Sequence, residues 1–151
     1  MTRKAWLLPG LALLLAAPAF GETAPAWPSG LYSNVTSSEQ TGDLGGLEVR
    51  FYEEAGRHMA ELALCEGWCN DVHIAEVTRG DKGFVFGFTE TFTGAEGDVP
   101  VPIRFVVWRA GNELAYSTYQ GGEKIDYEGK PQRLKRAAKP FGLAVAKSGK
   151  E

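Results

Sequence analysis

The most regular feature of the chain is an apolar residue at every second position. Leu47, Val49 and Phe51 alternate with Glu48, Arg50 and Tyr52, Phe84, Phe86 and Phe88 repeat the pattern, and Val101, Ile103, Phe105 and Val107 extend it. A period of two puts alternate side chains on one face of an extended chain, so each run predicts a strand with one buried face. Less regular runs predict further strands at Gly30 to Val35, His58 to Cys65, Val72 to Thr78, Leu114 to Gln120 and Lys124 to Tyr127. Between them lie the turn signals Glu54-Ala55-Gly56-Arg57, Arg79-Gly80-Asp81-Lys82-Gly83, Ala110-Gly111-Asn112 and Gly121-Gly122. Short turns impose antiparallel neighbours. The pattern thus predicts an all-β fold, a single antiparallel up-and-down meander of about eight strands closing into a β-barrel and so removing its edges. A two-sheet β-sandwich is the alternative. After Pro140, the alternation of Phe141, Leu143 and Val145 predicts one last strand.

The N-terminus has a different pattern. Arg3 and Lys4 precede an apolar run from Ala5 to Ala17 that is broken by Pro9 and Gly10, and the small residues Ala17, Ala19 and Gly21 follow. That is the form of a secretory signal peptide, with cleavage expected after Gly21 and Ala19 at the minus-three position. The run is shorter than the roughly 20 residues a membrane-spanning helix needs. The expected product is periplasmic or secreted, with no stable membrane insertion after cleavage. The expected organisation is a signal peptide over 1–21, an extended Pro-rich segment over 22–29, one β domain over 30–147 and a disordered tail over 148–151.

Cys65 and Cys69 are the two cysteines of the chain. An even count in an exported protein predicts a disulfide, and a loop this short fixes the shape of a turn more than it restrains the unfolded chain.

Charge is divided unevenly. The whole sequence carries a net −3, but residues 22–129 hold 18 acids against 7 bases, and residues 130–151 hold 7 bases against Glu151 alone. A basic end of this kind predicts packing on the chain's own acidic body. The acidic body disfavours a nucleic-acid partner.

Strand number, meander order and the Gly30-x-Tyr32 start of the first strand resemble the small calycins, the group that includes lipocalins and avidin-like barrels. Tyr32 stands where the lipocalin pattern has Trp. The resemblance covers most of the chain beyond the signal peptide and implies a barrel that binds a ligand.

A meander sends alternate connections to opposite ends. One end then receives Thr36 to Gly45, the Cys65 to Cys69 turn with Trp68 inside it, Thr93 to Pro100 and Gly121 to Glu123, while the other has tight turns alone. Long loops on a rigid scaffold are the expected recognising end. This rim collects Glu39, Asp43, Glu66, Asp71, Glu96, Asp98 and Glu123. A ring of one sign attracts the opposite sign, so the expected ligand is a small molecule or protein surface of cationic character, with Trp68 as an apolar anchor. Phe84, Phe86, Phe88, Phe92, Phe105, Trp108, Tyr116 and Tyr119 are candidates to line or fill the interior, and the small residues Gly87, Ala115 and Ser117 among them would leave room.

Catalytic signatures are missing. There is no Gly-x-Ser-x-Gly, no Cys-x-x-Cys and no glycine loop leading into a helix, and neither His58 nor His73 sits in a nucleophile motif. Cys65-x3-Cys69-x3-His73 resembles the ligand run of the binuclear copper site of cytochrome oxidase subunit two, which makes copper binding an alternative. Glu76 occupies the position of that family's Met, and a strand would hold Cys69 and His73 about 13 Å apart. The sequence is therefore read as a binding protein with no enzymatic activity and no cofactor. A further alternative is a cell-envelope inhibitor that docks on a basic enzyme.

Overall fold

The three most regular period-two runs, from Leu47, Phe84 and Val101, become strands, because alternation gives each one face to bury. The computed structural model describes residues 24–149. The expected signal peptide over 1–21 lies outside the described residues. The strands are β1 (Gly30–Ser33), β2 (Thr36–Ser37), β3 (Leu44–Glu54), β4 (Arg57–Cys69), β5 (His73–Glu76), β6 (Thr78–Gly80), β7 (Gly83–Gly94), β8 (Gly97–Ala110), β9 (Glu113–Gln120), β10 (Glu123–Lys124) and β11 (Gln132–Arg136). One helix, α1 (Gly142–Ser148), follows them.

The result is an all-β, nearly closed antiparallel barrel in meander order. The ladder runs β5-β4-β3-β1-β11-β9-β8-β7-β6, with β2 on β3 and β10 on β9. β11 pairs with both β1 and β9, which joins the last strand of the meander to the first. The opposite wall is completed by the segment from His73 to Gly80. Its first half, β5, pairs with β4, and its second half, β6, pairs with β7.

Three expectations about boundaries are corrected. The closing strand is β11 and not Lys124 to Tyr127, because Asp126 is drawn back onto β9 and the positive φ of Glu128 (52°) and Gly129 (69°) interrupts the extended chain. Thr93 to Pro100 is not a loop, since β7 and β8 continue to a turn of two residues, Ala95 and Glu96, and form a projecting hairpin. The last predicted strand is instead α1. Leu143 and Ala146, three apart as a helix face requires, are fully buried against the outside of the barrel, while Phe141 is 46% exposed. Ser148 is the last residue of this helix and Gly149 its C-cap, where a disordered tail was expected.

Two cores result. The inner one contains Tyr32, Phe51, Phe84, Phe86, Phe105 and Leu134, with the Phe86 ring 5.5 Å from both Phe51 and Phe105. It is concentrated toward the tight-turn end. There Trp27, from the segment expected to be merely extended, stacks on His58 at 3.7 Å and packs on Phe84 at 5.1 Å. The outer core lies beneath α1 and contains Leu44, Ala63, Cys65, Cys69, Leu143 and Ala146. The expected disulfide is present, joining Cys65 to Cys69. It sits in the last turn of β4 under Gly142, where an added Cβ would stand 3.3 Å from the Cys65 sulfur.

Of the basic end, Lys147 reaches an acid of the body. Lys147 of α1 pairs with Glu61 at 2.6 Å, and Arg50 reaches the same carboxylate at 3.2 Å. Gly87, Ala115 and Ser117 alternate with inward-facing neighbours and therefore point outward, so they leave no room inside.

Candidate functional site

The interior is packed at one end and open at the other. Beyond the aromatic core the barrel holds a cavity of about 620 Å³. Ile103 and Tyr116 belong to both the core and the cavity lining, so they form its floor. Leu64 stands on the wall, and Phe92, Ile125 and Tyr127 form partly exposed lips. This cup opens at the end that carries the long connections.

One side of the cup depends on a local irregularity in β3. Gly46 has φ +124°, and a Cβ there would come within 2.7 Å of the Asn34 carbonyl oxygen. Glycine is required for that close approach. It lets the Asn34 side chain accept from the Leu47 amide at 2.8 Å while the Asn34 amide donates to the Leu47 carbonyl at 3.1 Å. Held in this way, the Asn34 carboxamide donates to the Tyr116 hydroxyl at 3.1 Å.

Tyr116 is 5% exposed. Burial pushes its phenol above the ordinary value, the nearby Asp126 charge adds to that, and the Asn34 hydrogen bond opposes it only in part. The group stays neutral at physiological pH and retains its proton. Among the described residues no acceptor is placed for that proton, so the floor of the cup offers a hydrogen-bond donor to an occupant.

A second element is the lip between β9 and β11. The Asp126 carboxylate, its side chain 1% exposed, accepts from the Ser117 hydroxyl and the Thr118 amide, each at 2.8 Å, and pairs with Lys124 at 3.1 Å. Burial alone would raise this carboxyl. The hydrogen bonds and the Lys124 charge outweigh burial and hold it below the ordinary carboxylate value. Ile125 and Tyr127 flank it and reach the cup mouth.

Of the residues singled out in the sequence, Glu66 lines the cup, while Trp68 and Asp71 line a smaller recess of about 120 Å³ beside it. Trp68 is 52% exposed. Glu39 and Asp43 lie in the β1–β3 connection, Glu96 at the hairpin tip, Asp98 at the start of β8 and Glu123 in β10, and none of these five lines the cup or the recess. Asp43 and Asp98 accept from the Thr41 and Thr93 hydroxyls, each at 2.7 Å, and so tie their own loops. Glu90, Asn34 and Tyr127 were not foreseen as site residues. The signal for Glu90 was there, because it continues the inward phase of Phe84, Phe86 and Phe88.

Both cysteine sulfurs are bonded to each other, which leaves the Cys65, Cys69 and His73 alternative without a thiolate in the oxidised protein. His73 stacks on Phe88 at 3.6 Å.

Compared with known proteins, the chain matches no family model, no curated protein and no solved structure.

Proposed function

We propose that this protein is an exported binding protein that takes an apolar small molecule into the open end of its barrel and performs no chemistry on it. The observation that carries this is the cavity of about 620 Å³ set above a close-packed floor. That volume lies in the range of small-molecule sites, and its lining sets the apolar side chains of Leu64, Phe92, Ile103 and Ile125 among polar ones that include Asn34, Glu66, Glu90 and Gln120. The resemblance to small calycins points the same way, and the disulfide fits an oxidising compartment, periplasmic or extracellular.

The cavity favours a small ligand, whereas a filled interior with an exposed Trp68 would favour the protein-docking alternative, and of these two features Trp68 is half exposed. The test is titration with Nile red, an uncharged dye whose emission rises in apolar surroundings. One saturable site is expected in the unaltered protein, and Leu64→Trp, which places a large ring in the cup, should abolish it while the thermal transition persists. Equal dye binding by the unaltered and Leu64→Trp proteins would remove the cup from consideration.

A further inference from the structure

Strand alternation places two carboxylates on the inward face of the barrel. Glu66 follows Leu64 in β4, and Glu90 follows Phe88 in β7, each two positions on. Both line the cup and both line the recess beside it, so they stand at the boundary between the two spaces. Among the described residues no Lys or Arg lines either space, and His73 lines the recess. Among the described residues neither Glu66 nor Glu90 enters a salt bridge. With Asp71 as a third, the carboxylates outnumber His73, the one basic side chain among the described residues that lines either space, and they give this boundary a net negative potential. The recess adds the half-exposed ring of Trp68, and aromatic faces attract cations.

We infer that the cup takes an amphipathic organic amine, with its apolar body between Leu64, Ile103 and Phe92 and its protonated nitrogen at the Glu66 and Glu90 boundary, beside Trp68. The inference rests on the small-ligand reading above and deepens it. A protonated amine brings positive charge to this boundary and donates to its carboxylates, while the body replaces water against the walls. A carboxylate on the same body meets repulsion at the same place.

The experiment compares dodecylamine, dodecanol and dodecanoate, all below micelle-forming concentrations, as displacers of Nile red from the full protein. Dodecylamine should displace the dye at about tenfold lower concentration than dodecanol, the size of one charge-assisted hydrogen bond, and dodecanoate should be weakest. In the E66Q/E90Q double variant, which keeps side-chain shape and removes charge, the amine-to-alcohol ratio should fall to about one. Equal displacement by amine and alcohol in the unaltered protein overturns the inference, as does a preference that survives in E66Q/E90Q. Either result leaves the small-ligand reading standing if Nile red binds. Failure of Nile red itself to bind overturns that reading, and the amine inference with it.

Discussion

The backbone amide of Phe141 donates to both carboxylate oxygens of Glu48, at 3.0 and 3.2 Å, across 93 residues of chain. The Leu143 amide adds a third hydrogen bond at 3.0 Å. Glu48 is fully buried and sits on the outward face of β3, so its charge is neutralised in effect by the first turn of α1. Orphan amides at a helix start are a natural partner for a carboxylate. The helix and the buried acid thus depend on one another, and the disulfide lies in the core they enclose.

Glu48→Ala should therefore lower stability by about 2–4 kcal/mol, since it strands two amides and leaves a void. Urea denaturation measures this directly. A loss below about 1 kcal/mol would mean that α1 is held by its apolar contacts alone.

Acid should loosen the lip of the cup before it unfolds the barrel. The Asp126 carboxyl is held below its ordinary value in the folded protein. Its contribution is therefore complete above the unfolded value of about 3.9 and is lost as pH falls through the lower folded value. Nile red affinity should fall across that acid window, and Asp126→Asn should reduce affinity at neutral pH and flatten the acid dependence. An identical pH profile in Asp126→Asn would show that another group governs the lip.

Trp27 and Trp68 should behave oppositely. Trp27 is stacked on His58, lies 4.5 Å beneath the Arg79 guanidinium and closes the tight-turn end, and Arg79 also donates to the Pro25 carbonyl at 2.8 Å. Trp27→Ala should cost about 2–3 kcal/mol, in the lower range of large aromatic truncations because the ring is only partly buried. Trp68 is half exposed, and Trp68→Ala should change stability by less than about 0.5 kcal/mol. Thermal melts of the two variants side by side decide this, and a comparable loss at Trp68 would place its ring in the packed structure.

Much of the barrel was legible because alternation is local. Leu47, Val49 and Phe51, or Phe84 and Phe86, declare their strand and their buried face within a few residues, and glycine-bearing turns declare the hairpins. What was misread depends on distant partners. Phe141, Leu143 and Val145 alternate like a strand, but the carboxylate that captures their segment as a helix lies in β3. Lys124 to Tyr127 looked like the closing strand because nothing nearby shows that Ser117 and Thr118 will take Asp126. The acidic end was visible as composition. Its division into acids that tie their own connections, such as Asp43 and Asp98, and cup-lining acids such as Glu66 and Glu90 required carrying the phase of Leu64 and of Phe88 two positions further along β4 and β7. The Asn34–Tyr116 contact, across 82 residues, has no local trace at all.

The wall segment from His73 to Gly80 gives half its length to one neighbour and half to the other. The cylinder is in that sense a spliced band, fastened at β5 to one margin and at β6 to the other. Thermal fluctuation should part the splice before any full-length ladder, and the amides there should exchange with solvent earliest among the eight walls. Trp68 and the acidic boundary stand at the upper end of that splice, so the most yielding line of the barrel leads into its open chamber.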